Sequence, residues 1–244
     1  MSGPAGKVRI GFFSFTEVTD PGAHRAYNEW HQLDHLPEQL PVPGIAWGQR
    51  WVSTPACRAA RAVDGELLSA ADYVTLYLMA DPVEATLDEF AALARRLHDE
   101  GRFFGPRRSR LSGPFDVLDT AAAARVAVSA AAVPYRPTTG VYVVVEEVPD
   151  GGDPAALRAP LDPGPLLEVA GVAGVWRFTG RPTEAGLRWS PGARRVTVCF
   201  LDGDVAAAAG DLACLLAGDG GGGLAPIFAG PFETITPWEW EWFD

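Results

Sequence analysis

Residues 44–55, GIAWGQRWVSTP, and residues 171–182, GVAGVWRFTGRP, align without a gap. Gly44 meets Gly171, Arg50 meets Arg177, Trp51 meets Phe178 and Pro55 meets Pro182. Two further landmarks recur in the same order: YVTLYLMAD at 73–81 matches RVTVCFLDGD at 195–204, and GPFDVLD at 113–119 matches GPFETIT at 230–236. Ordered recurrence of this kind marks an internal duplication. Whatever one half folds into, the other half must fold into as well.

The pattern inside each half names the unit. VRIGFFSFTEV, 8–18, is a strand that stops at TDPG, and a helical stretch follows at 24–36. Residues 44–55 and 73–81 read as the next two strands. Residues 82–101 carry apolar side chains at 83, 87, 90, 93, 94 and 97, a helical stripe, with Pro82 at its start and Gly101 at its end. FDVLDT, from 115, is the last strand. The order βαββαβ is a ferredoxin-like unit. In the second half TGVYVVVEEV at 139–148, the strands at 171–182, 195–204 and 230–236, and the helix VAAAAGDLACLLAG repeat it. Helices cover one face of such a sheet, and the other face needs a partner. The expected fold is therefore α+β: tandem ferredoxin-like units packed sheet to sheet as one barrel. The expected boundaries are 1–121 for the N-terminal repeat, 122–138 for a connector and 139–244 for a degenerate C-terminal repeat. Alternating Val and Ala in the connector are expected to extend an edge strand.

Chemistry concentrates in YNEWHQLDHLPEQLPVPG, 27–44, which holds two of the four histidines. With the topology, these residues resemble the EthD-like proteins of the dimeric α/β barrel superfamily. Trp30, His35, Leu36, Pro37, Glu38, Pro43 and Gly44 stand at motif positions, and His31 replaces a more usual Tyr. The resemblance implies small-molecule chemistry. Its relatives include polyketide cyclases, lactone isomerases, decarboxylases and dehydratases of aromatic compounds, monooxygenases and haem proteins. Two-repeat haem relatives use a proximal histidine in the second repeat. Here every histidine precedes residue 99 and the second half has DPAALRAPLDPGPLLE in place of the motif, so the first half is read as the working half.

On a helix, His31 and His35 share a face about 6 Å apart at Cβ, and Asn28 and Glu38, each three residues away, join it. Asp34 falls toward solvent, and Pro37 is expected to end the helix near Leu36. Three readings follow. His35, at the mouth of the barrel, is a general acid or base helped by His31 and Glu38, because imidazole both takes and gives a proton near neutral pH. Alternatively, His31 and His35 bind a metal, with Glu38, Asp34, Glu17 or His98 as the third ligand. In the plain reading, both rings pack or cap the helix end. Substrate contacts are expected from Trp30, Asn28, Arg50 and Trp51. The Arg50 fork suits a carboxylate or phenolate, although its counterpart Arg177 argues for structure. His98 is expected to pack. The tail PWEWEWFD is read as a strand placing Trp238, Trp240 and Trp242 on one face. Together with Trp30, Trp47 and Trp51 these indoles either line an aromatic cavity or cover a sheet edge or subunit interface.

Composition removes other classes. The chain has 244 residues, 20 basic against 31 acidic side chains and a net charge of −11, which disfavours nucleic-acid and anionic-membrane surfaces. Arg102, Arg107, Arg108 and Arg110 form a local basic run, read as a solvated loop. Cys57, Cys199 and Cys214 lack the spacing of a disulfide framework or a cysteine zinc site. No signal peptide and no long apolar run appears, so a cytoplasmic location is expected. GDGGGG at 218–223 reads as a mobile loop and not a dinucleotide site. The reading is a cofactor-independent enzyme for cyclisation, isomerisation, dehydration or decarboxylation of an aromatic or polyketide-like molecule, as a monomer or homodimer. A non-catalytic binder of a hydrophobic ligand and a metal-dependent enzyme are the alternatives.

Overall fold

Runs of β-branched and aromatic residues become eight principal strands: β1 Val8–Val18, β2 Ile45–Val52, β3 Tyr73–Ala80, β4 Arg107–Ala122, β5 Gly140–Glu147, β6 Val172–Gly180, β7 Arg194–Leu201 and β8 Ala225–Thr234. The computed structural model describes residues 2–3, 7–182, 189, 191–218 and 223–243. Residues 219–222 of the glycine-rich loop lie outside that set. All strand pairings are antiparallel, and the order is β4-β1-β3-β2 followed by β8-β5-β7-β6. The two runs of four share one relative order. β4 also pairs with β6, so the sheet closes on itself. The two seams differ. β4 and β6 pair from Phe115 opposite Gly180 to Ala122 opposite Gly174. β2 and β8 meet only at Trp51 opposite Thr234 and Val52 opposite Glu233.

Strand alternation sends one set of side chains inward. Phe13, Phe15, Trp51, Phe115, Trp176, Phe178, Phe200, Phe228 and Phe232 form the interior with Val and Leu from the same strands. Eight strands leave room for packed side chains and no channel. Helices cover the outside. α1 His24–Trp30, α2 Leu36–Gln39 and α4 Val83–Asp99 lie on the N-terminal half, and α6 Val205–Gly218 lies on the C-terminal half; the short α3 Pro55–Ala59 and α5 Gly164–Glu168 lie in the connections. Among the described residues no helix is long and apolar enough to cross a membrane.

Two expectations change here. Within residues 122–138, Val126 and Val133 are buried in the barrel core. These residues do not extend an edge strand: β4 ends at Ala122, and β1 and β6 flank it. The tail is not a strand either. The Glu239 amide donates to the Thr236 carbonyl, and Trp238 has φ 72°, so Thr236–Glu239 is a turn with Pro237 at its second position. The turn breaks the alternation. Trp240 is buried against Val18, Tyr27 and Tyr73, Trp242 is half-buried and Trp238 is exposed.

Candidate active site

Helix α1 docks through His24, Tyr27 and Asn28, and His31 continues the same buried face. Tyr73 on β3 anchors it, because its hydroxyl accepts from Asn28 Nδ2 at 2.8 Å and lies 3.0 Å from His24 Nδ1. Residues His31–His35 then form a π-helical turn, in which the Leu36 amide donates to the His31 carbonyl five residues back. A proline in an α-helix collides with the carbonyl four residues before it. The wide turn relieves that conflict for Pro37, and helix continues through α2 instead of ending near Leu36.

The turn sets both imidazoles side by side, with ring centroids 5.3 Å apart. They face a cleft between the helices and the outer surface of β1, β3 and β4, lined with Thr75, Tyr77, Ser109 and Ser112. The cleft lies outside the barrel and not at its mouth, and the barrel interior is filled by the aromatic core. Trp30 stacks on His35 at 4.5 Å, its Nε1 donating to the Arg102 carbonyl. Phe12, Phe90, Phe103 and Trp189 complete the walls of an inner chamber of about 120 Å³. A larger cavity of about 650 Å³ adjoins it, sharing Ala94, Phe103, Arg107, Ser109, Ser112 and Trp189 with it.

The surroundings of both imidazoles favour the uncharged form. Burial lowers His31 well below its ordinary value, and Arg50, His35 and Arg107 lower it further. Burial, then Arg107, Arg50 and Arg102, bring His35 down to about 3. The Nδ1 atoms of both rings are buried and hydrogen-bonded to nothing among the described residues.

Of the sequence candidates, His31, His35 and Trp30 line this chamber, and four do not. Glu38 turns to the other side of the helix, where it and Asp34, four residues apart, bind Arg102 at 2.8 and 3.1 Å. Asn28 is fully buried as a clamp between α1 and β3. Trp51 faces the barrel core, because alternation on β2 sends it opposite to Arg50. Arg50 sits one layer behind the lining, its guanidinium carbon 5.6 and 5.5 Å from the Tyr27 and Tyr73 ring centres. Nor do Trp47, Trp238, Trp240 or Trp242 reach either cavity.

The sequence missed Arg107 and Trp189. Arg102 and Arg110 hold carboxylates, Arg110 with Glu17. Arg107, by contrast, turns inward over the rings of Trp30 and Phe103, at 5.3 and 4.9 Å. Its place at the first position of β4 was the available signal. For a metal, the proposed third ligands do not converge: Asp34 and Glu38 bind Arg102, Glu17 binds Arg110, and His98 is exposed beside Asp99. Among the described residues no three His, Cys, Asp or Glu side chains gather as a metal site.

No protein-family model and no curated protein matches the chain. Among solved structures it is similar to an anthrone oxidase-like protein, at 14% identity and TM-score 0.54, over 97% of this chain and 95% of that one. It is also similar to a protein described as a monooxygenase from Lactobacillus acidophilus NCFM, at 8% identity and TM-score 0.46, over 93% of each. The first likeness shows a shared fold; neither carries an activity across.

Proposed function

We propose that this chain is a cofactor-independent enzyme that moves a proton on a flat, aromatic or polyketide-like carbon acid bound between the helices and the sheet. The observation that carries this reading is the pair of buried imidazoles in an aromatic-walled cleft, Nδ1 of each unpartnered among the described residues. An uncharged His35 has a lone pair free to take a proton from a C–H beside a carbonyl, and negative charge on a bound ligand beside Arg107 and Arg50 offsets part of the field that makes it a weak base. The C–H electron pair becomes an enolate, and its oxygen gains the favourable field of Arg107 and Arg50. Returning the proton to another carbon completes an isomerisation. In a cyclisation the enolate carbon attacks an internal carbonyl, and the proton passes to the new alkoxide. His31 is the second proton-relay group, and Trp30 holds the His35 ring by stacking. The two halves, with their shared strand order, are read as tandem ferredoxin-like copies of an EthD-like ancestor in which the first copy kept the site.

Deuterium exchange at the acidic carbon of anthrone or benzoylacetone, followed by NMR in heavy water, tests the proposal. The protein is expected to accelerate exchange, and His35→Gln to lose about 100-fold of the acceleration, the usual scale for one acid–base group. Exchange at the uncatalysed rate, or at the parent rate in His35→Gln, removes the reading.

A further inference from the structure

Acids outnumber bases in this chain, and its buried guanidiniums are paired almost everywhere. Arg177 binds Asp119, Arg195 binds Glu146, Arg61 binds Asp64, and the partly buried Arg58 binds Asp72. Arg50 and Arg107 break the rule. Arg50 is 2% exposed, its Nη1 and Nη2 make no hydrogen bond of good geometry among the described residues, and its polar neighbour is the uncharged Tyr27 side chain. Arg107 Nε is likewise buried without a partner. Neither forms an ion pair with a described carboxylate, and among the described residues no Asp or Glu lines the inner chamber. A buried charge without a counter-charge is costly, so such sites are completed by a ligand or carry strain. Here one such charge, Arg50, and a half-buried second guanidinium, Arg107, flank the same two imidazoles.

Accepting the cleft as the working site, we infer that its ligand brings an anionic oxygen of its own, a carboxylate or an ionised phenol on a flat ring, and seats it against Arg107 in the inner chamber. The dimensions agree. The inner chamber has room for a carboxylate and a few further atoms, since liquid water takes about 30 Å³ per molecule. The outer cavity lies within the roughly 300–1,000 Å³ range of small-molecule sites. Ser109 and Ser112 on β4 and Tyr77 on β3 supply hydroxyls around the head group. Arg107 makes the direct contact. Arg50, behind the lining, contributes its field and so acts as a positioning residue.

Calorimetric titration of the whole protein with matched probes tests this without turnover. One pair is naphthoate against naphthamide, and the other is dinitrophenolate against its methyl ether. At least one anion is expected to bind about tenfold tighter than its neutral partner, and the winning pair tells carboxylate from phenolate. In Arg107→Gln the preference falls to about threefold or less, and in Arg107→Lys much of it returns. The parent measurements stand even where a variant fails to fold. Equal binding of anion and neutral partner, no saturable binding of any anion up to roughly 1 mM, or a full preference in Arg107→Gln overturns the inference. Because only binding is read, loss of proton-transfer activity and loss of anion preference are separate outcomes.

Discussion

Arg50 and Arg177 occupy matching places and behave in opposite ways. Each lies on a strand opposite a threonine, Thr75 for Arg50 and Thr197 for Arg177. Arg177 lays its fork on Asp119, Nε at 2.9 Å from Oδ1, and donates to the Ala159 carbonyl. Arg50 has aromatic rings around it and, among the described residues, no carboxylate partner. The same residue in the same register is therefore a strut in one half and an uncompensated charge in the other. Arg177→Met is expected to cost about 1–2 kcal/mol, because the half-exposed Asp119 recovers part of its solvation. Arg50→Met removes a buried charge with no partner and is expected to melt at or above the parent temperature in the absence of ligand, while weakening anion binding. Thermal unfolding of the three proteins checks both, and a large loss in Arg50→Met contradicts the charge argument. Sequence pointed to Arg50 by type and to His31 and His35 by spacing. It passed over Arg107 because a run of four arginines reads as solvated until the strand register turns one of them inward.

At the scale of elements, glycines and a wide turn fix where the helices rest. Gly44 opens β2 with φ 89°, and a Cβ there would lie 1.9 Å from Thr86 Oγ1 on α4. Its counterpart Gly171 has φ 86°, and a Cβ would lie 3.3 Å from Gly203 Cα. Gly44→Ala therefore adds a collision to backbone strain and is expected to cost about 3 kcal/mol or more, against about 1–2 kcal/mol for Gly171→Ala. Urea denaturation of the two variants measures the difference, and equal losses would mean that α4 yields freely. The aligned glycines were legible in the sequence because only glycine adopts this conformation cheaply. The π turn was not. Helix periodicity counts Pro37 as a stop, whereas one widened turn moves the offending carbonyl and lets the helix run on. That same turn leaves Glu38 beside Asp34 on Arg102, away from the imidazoles.

The whole molecule is a closed ring of strands whose interior belongs to both halves. Phe13 and Phe115 from the first half pack edge-on against one another, and Phe13 meets Phe178 from the second at 5.0 Å. A fragment ending at residue 121 would expose that aromatic face to water, and so would its complement. Each is expected to aggregate or bind a hydrophobic dye when produced alone, and the two produced together to form a soluble complex with the far-ultraviolet dichroism of the intact chain. A monomeric, cooperatively melting N-terminal fragment would show that the shared core is dispensable. The sequence by itself determined the eight principal strands, the repeated landmarks and the histidine pair, because strand periodicity, glycine conformation and residue spacing are local properties. Only the tertiary structure decided that the barrel interior is solid and that the imidazoles face a cleft outside it. It also decided which of many arginines is left without a carboxylate, since charge pairing depends on which distant side chains the closed sheet brings within reach.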